Sequence, residues 1–193
     1  LSPSTNQLLD PILSKITFVR NPWSRLVSVF SYFFIHSKNA PLFGDWQRHV
    51  HAIIEFTKSK TANPYFTFRD LVNILYDAKK NISHYSFLLG NTHYMPQAYT
   101  FSTINYDQIY DYSDASLVIS RLNKKLNFTY ESSTHSHHVN KSSNATKLVA
   151  DLYPDEFNLD GIPNYKYFYD DDLIEKVAFI YSEDIALFNF TFN

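Results

Sequence analysis

The sequence predicts an α/β domain in which a small parallel sheet is flanked by helices. Three observations predict it. A β-branched, apolar run, ITFVR at residues 16–20, passes at once into a helical pattern. A second strand-like run, TINYDQIY at 103–110, is again followed by helix signals. Of the 193 residues, 45% are hydrophobic and only 19% charged, the balance of a globular chain rather than a disordered one.

Each element has its own local cause. The strand at 16–20 ends on Arg20, and Asn21 is a suitable N-cap for a helix with Pro22 at its first position and WSRLVSVFSYFF running to about Ile35. Leu26, Val27, Phe30, Phe33 and Phe34 form its apolar side. A second helix is predicted over Asp45–Lys58. A third runs over Phe68–Lys79, where Thr67 and Asp70 have capping-box spacing and Leu71, Ile74 and Leu75 face inward. After the strand at 103–110, Ser113 and Asp114 open a helix through Leu117, Val118, Leu122 and Leu126. Residues 129–165, rich in Ser, His, Asn and Pro, read as loop. The last helix starts at Asp170–Asp172, whose acids suit its positive end, and turns Leu173, Val177, Ile180 and Tyr181 inward.

Composition closes off several classes of function. Three glycines exclude collagen-like and linker sequences and most Gly-rich phosphate loops. With no cysteine there is no disulfide framework, thiol nucleophile or zinc–thiolate site. A net charge of −2 argues against a general nucleic-acid or membrane-surface binder, so any anion site is local. No run of 18 apolar residues and no signal peptide is present. The only methionine is Met95, so residue 1 is not a translation start and the chain is expected to be a processed or truncated piece.

The most informative stretch is Ile16 to Phe34. In open α/β sheets ligands bind at the carboxyl ends of strands, where Arg20 stands. Asn21, Ser24, Ser28 and Ser31 follow steps of three, four and three and form one polar stripe on the helix. A guanidinium and two or more hydroxyls could therefore converge on one oxyanion, and a phosphate suits such a fork. The competing reading pairs Arg20 with a carboxylate and leaves the serines as a solvated face.

ITFVRNPWSRLVSVFSYF resembles the 3′-phosphate-binding segment of sulfotransferases that use 3′-phosphoadenosine 5′-phosphosulfate (PAPS), in particular the carbohydrate sulfotransferase type (family 2), with its pattern FVR-[DN]-P-x-x-R-L-V-S. Arg25, Leu26 and Val27 also match. Three later segments follow in the family's order. The first is His93–Gln97 (HYMPQ), similar to its H-[WY]-x-P-Q segment, together with the strand INYDQIYDY that follows it and resembles the D-x-I-x-x-Y-E stretch. His138–Ser142 (HVNKS) resembles its H-x-N-x-S loop, and Tyr165–Tyr169 with LIEKVAFIYSEDIALFNFTF its closing helix and tail.

The resemblance implies a P-loop-NTPase-like parallel sheet flanked by helices, helix-rich, with residues 1–193 forming a single, partial domain. It implies sulfuryl transfer from PAPS, without a metal, to a hydroxyl of a carbohydrate acceptor. Arg20 and Ser28 then hold the 3′-phosphate, with Ser24 added from the stripe. Nothing implies a nucleic-acid partner, and the oligomeric state is open. So is the compartment: Golgi lumen for a eukaryotic member, whose membrane anchor would lie upstream, or cytoplasm for a bacterial one. Five Asn-x-Ser/Thr sequons, at Asn81, Asn127, Asn140, Asn144 and Asn189, point only weakly to glycosylation.

The pattern is also broken in places. The family sets a β-loop-α unit with a Lys-bearing phosphosulfate loop before this strand, and residues 1–15 are too few to hold one. Gly44, Gly90 and Gly161 are isolated, so the fold is expected to lack that first unit and the chain to lack full transferase activity. The family's glutamate after tyrosine falls at Ser113, and 146–164 reads as an insertion. A rival reading is a catalytically lapsed domain that binds nucleotide or glycan through the 3′-phosphate clamp alone. A nucleotide kinase is disfavoured by the lack of a Walker lysine.

Among eight histidines His93 is the first candidate for the general base, since it lies in a family-like motif and imidazole titrates near neutrality. Two other readings stand beside it: His93 anchors a loop, the more usual role, or the base lies in the missing segment. His135, His137 and His138 read as loop rather than a metal site, and Asp170–Asp172 as a helix start.

Overall fold

A computed structural model of the chain describes residues 14–36, 66–81, 92–102, 104–126, 148–158 and 161–193. In chain order the strands and α-helices are β1 (Ile16–Val19), α1 (Pro22–Phe30), α2 (Phe68–Lys80), β2 (Gln108–Asp111), α3 (Ala115–Leu126), α4 (Asp171–Ile180) and α5 (Ser182–Phe188). The helix expected over 45–58, the HVNKS segment and the His135–His138 run lie outside the described residues. The chain divides into two compact units: Leu1–Asn21 with Gln97–Ser136, and Pro22–Pro96 with His137–Asn193.

The first unit holds a parallel pair of strands, as expected. β1 runs beside β2 in the register Ile16↔Gln108 to Val19↔Asp111, and Phe18 and Tyr110, opposite each other, bring their rings to 5.9 Å. The pair opens on a side-chain lock: the Lys15 N–H donates to the Asp107 carboxylate at 2.6 Å, and the Asp107 N–H donates back to the Lys15 carbonyl at 2.8 Å. β2 starts at Gln108, later than the expected Thr103, because this register leaves earlier residues nothing on the four-residue β1 to pair with. After β2 the Asp111 carboxylate accepts the Ser113 N–H and caps a short 3₁₀ turn, Tyr112–Asp114, ahead of α3. On α3 Val118 is buried, whereas Leu117 is 50% exposed because its helical direction diverges from the face shared by Val118 and Leu122.

In the second unit α1 continues as a wider π-wound segment, Ser31–His36, so the expected helix to Ile35 has the right extent but two windings. All five residues expected on its apolar side are buried, and Phe30 is fully enclosed by the rings of Phe34, Phe68, Phe157 and Phe168 at 5.4–6.3 Å. α2 begins with the expected box: the Asp70 N–H donates to the Thr67 hydroxyl at 3.1 Å, and the Asp70 carboxylate accepts the Thr67 N–H at 3.0 Å. Its buried face, Phe68, Leu71, Val72, Leu75 and Ala78, packs on α4, where Leu173, Val177 and Ile180 are buried as expected. Lys176 joins the two helices by donating to Asn73 at 2.9 Å. α5 ends at Asn189 with φ 55°, a left-handed C-cap that asparagine tolerates. Within the expected loop, described residues 148–158 hold only a short 3₁₀ turn, Pro154–Glu156.

Asp170 is the N-cap of α4, accepting the Leu173 N–H at 2.9 Å, which bears out the reading of Asp170–Asp172 as a helix start. Its other oxygen takes a hydrogen bond from Arg69 at 2.8 Å, and Arg69 also grips Asp151. Burial pushes the Asp170 carboxyl up, but the Arg69 and Leu173 hydrogen bonds outweigh it and hold the group below the usual carboxylate range. A carboxyl depressed by folding adds stability above its unfolded pKa, about 4, and that stability is lost as pH falls through the folded value. Asp170→Asn keeps the capping oxygen and loses the charge. Thermal melts from pH 7 to 3 are expected to show the wild-type midpoint falling more steeply below about pH 4 than the variant's, the two curves converging at the acid end.

Candidate functional site

Arg20 follows the last residue of β1, and α1 begins at Pro22. Its N–H and C=O therefore lie outside both the strand ladder and the helix, and buried backbone groups in that position need other partners. The side chain of Gln97 supplies both. The Arg20 N–H donates to Gln97 Oε1 at 2.9 Å, and Gln97 Nε2 donates to the Arg20 carbonyl at 2.8 Å. The Arg20 guanidinium lies over the ring of Tyr112, 5.4 Å from its centroid. The cation is thus half-buried, held at its main chain and supported on one face, an arrangement suited to an anion needing in-plane donors.

On α1, in the second unit, Ser24 and Ser28 stand one turn apart on one half-buried face. Ser31, expected on the same stripe, departs from it: it is buried, and its hydroxyl donates to the Val27 carbonyl at 2.8 Å where the helix widens. The stripe is therefore shorter than the spacing implied. Trp23 ties the helix into its unit, its indole N–H donating to the Ile174 carbonyl at 3.2 Å while its carbonyl accepts the Tyr169 hydroxyl at 3.0 Å.

Arg25 has a role that the sequence reading did not assign. Its Nη2 donates to the carbonyls of Thr92, His93 and Met95 at 3.2, 3.2 and 2.7 Å, gathering the HYMPQ turn. Its Nη1 faces the Asp184 carboxylate at 3.7 Å, and its guanidinium lies over the ring of Tyr181 at 5.7 Å. Asp184 is fully buried, so this cation stabilises a charge that would otherwise be costly to bury. Burial is the main force pushing the Tyr181 phenol up to about 12; Arg25 draws it down and Asp184 pushes it up. Tyr94 is buried and its phenol is likewise pushed far up by burial.

His93 is exposed, with its ring edge-on to Phe33 at a centroid distance of 4.7 Å. Its carbonyl is held by Arg25, so main chain and ring both tie the turn to α1 and its continuation. Arg25, Gln97 and Tyr112 were all visible in sequence inside family-like motifs, but only as letters of a pattern. Among the described residues no group of His, Asp or Glu is placed to hold a metal ion. Among them, no helix is long and apolar enough to cross a membrane.

Comparison with known proteins bears on the family. The model of the sulfotransferase family (family 2) matches residues 2–191. The chain belongs to the sulfotransferase family. Searches of the curated proteins and of the solved structures return no match. Sulfuryl transfer to an acceptor substrate is the chemistry of this sulfotransferase family, and Arg20, Ser24, Ser28 and His93 all lie within the matched range.

The Arg25 hub carries a stability prediction for this sulfotransferase-family chain. Arg25→Met removes the cation facing buried Asp184 and the three bonds to the HYMPQ turn. Chemical denaturation is expected to show a loss of about 3 kcal/mol or more, partly recovered when Asp184→Asn is added.

Proposed function

We propose that this sulfotransferase-family chain is the part of a PAPS-dependent carbohydrate sulfotransferase that grips the donor's 3′-phosphate. The observation that carries the reading is Arg20, its main chain held by Gln97 and its guanidinium laid over Tyr112, at the end of a parallel strand. By resemblance alone, Ser28, eight residues on in the family-like segment, is the family's second residue for the 3′-phosphate, and Ser24 is added from the serine stripe. The family match and the likeness of four ordered motifs support PAPS as the donor; the carbohydrate acceptor rests on the family 2 resemblance.

In the reaction the acceptor oxygen bonds to sulfur as the bond from sulfur to the 5′-phosphate oxygen breaks, in line. The acceptor's proton passes to a base, and adenosine 3′,5′-bisphosphate (PAP) leaves. Within these 193 residues His93 is the candidate base. The Arg20 clamp acts far from the reacting sulfur, so it contributes donor binding rather than stabilisation specific to the transition state.

The second reading, nucleotide or glycan binding without turnover, is favoured by one feature: these residues contain no glycine-rich, lysine-bearing loop for the 5′-phosphosulfate. We accordingly expect residues 1–193 alone to transfer no sulfate from PAPS at an enzymatic rate; a radiolabelled-sulfate assay with turnover above about 1 per second would refute this. Calorimetric titration with PAP tests the clamp. Arg20→Ala is expected to weaken binding by about 2–4 kcal/mol, and unchanged affinity would remove Arg20 from the site.

A further inference from the structure

We infer that Gln97 is a positioning residue for the 3′-phosphate clamp: by holding the main chain of Arg20 at both its N–H and its C=O, it aims the guanidinium, so preference for a 3′-phosphorylated nucleotide depends on it. The inference rests on the reading of Arg20 as a phosphate ligand.

The need arises from the chain path. β1 stops at Val19 and α1 starts at Pro22, so Arg20 occupies a joint that neither element stabilises. A carboxamide presents an acceptor and a donor in one plane, as a peptide group does, and Gln97 uses both, at 2.9 and 2.8 Å, as an extra strand residue would. A carboxylate at the same place would offer acceptors only, and asparagine would be shorter by a methylene. Gln97 is itself held, since its carbonyl accepts the Thr100 hydroxyl at 2.7 Å and Pro96 before it has a fixed φ. With the Arg20 backbone set by Gln97 and the guanidinium resting on Tyr112, little freedom is left along that side chain. Releasing the backbone end moves the far end of a long side chain by about 1 Å or more, the scale at which directed contacts fail.

The test compares PAP with adenosine 5′-phosphate, which differ only in the 3′-phosphate, by calorimetric titration of the wild type, Arg20→Ala, Gln97→Met and Gln97→Asn. The wild type is expected to prefer PAP, and Arg20→Ala to abolish the preference. Gln97→Met is expected to lower the ratio of the two affinities by about tenfold while leaving adenosine 5′-phosphate binding unchanged, the loss of two ordinary hydrogen bonds seen only through Arg20. Gln97→Asn, neutral and polar but too short, is expected to behave alike and carries the test if the methionine variant does not fold. An unchanged ratio in a folded Gln97 variant, or an equal loss for both nucleotides, overturns the inference and leaves Arg20 as the ligand. A wild type without preference, or a preference that survives Arg20→Ala, overturns the reading of Arg20 and the inference together.

Discussion

The junction between β1 and α1 imposes the constraint from which the site's construction follows. A strand that passes into a helix within two residues leaves the intervening backbone without partners, and a proline at the first helical position contributes no N–H of its own. In this chain the gap is filled by a side chain 77 residues away. Water could satisfy the same groups, but it would not set the direction in which Arg20 leaves the backbone. At the other end of the strand Asp107 does the same for Lys15. A four-residue strand with, among the described residues, a single neighbouring strand thus has side chains acting as ladder partners beyond both of its ends.

Arg25 solves a different problem with the same economy. A turn such as Thr92–Met95 directs several carbonyls to one side, and one guanidinium can donate to them together. The remaining nitrogen faces Asp184, and the ring of Tyr181 covers the group. This joins two motifs far apart in sequence, the arginine after VRNP and the aspartate of the closing segment. Lysine, with a compact ammonium, would not span these partners. Neither arginine of the VRNPWSR segment is therefore a simple surface charge: one rests its head group on Tyr112, and the other uses it within the fold.

Much of the fold was legible in local chemistry. The capping box at Thr67 and Asp70, the acids before α4 and the apolar spacing of α1 and α2 each depend on residues within one or two turns, and each element formed where those rules put it. The misses share a cause. Ser31 was assigned to a polar stripe, yet it is buried. Periodicity identifies a helix face but not how far the surroundings extend over it. The start of β2 was misplaced because strand length depends on the partner, which no local pattern encodes.

For the site, the residue types and their order were determined by the sequence: an arginine ending a strand, hydroxyls at helical spacing on the next element, and four family-like motifs in series. Those features depend on covalent spacing and local backbone preference, which one chain carries in full. The roles of Gln97, Arg25 and Tyr112 were decided by tertiary structure. Each acts on a residue dozens of positions away, and hydrogen bonds and ring contacts at that separation exist only once the chain has closed on itself.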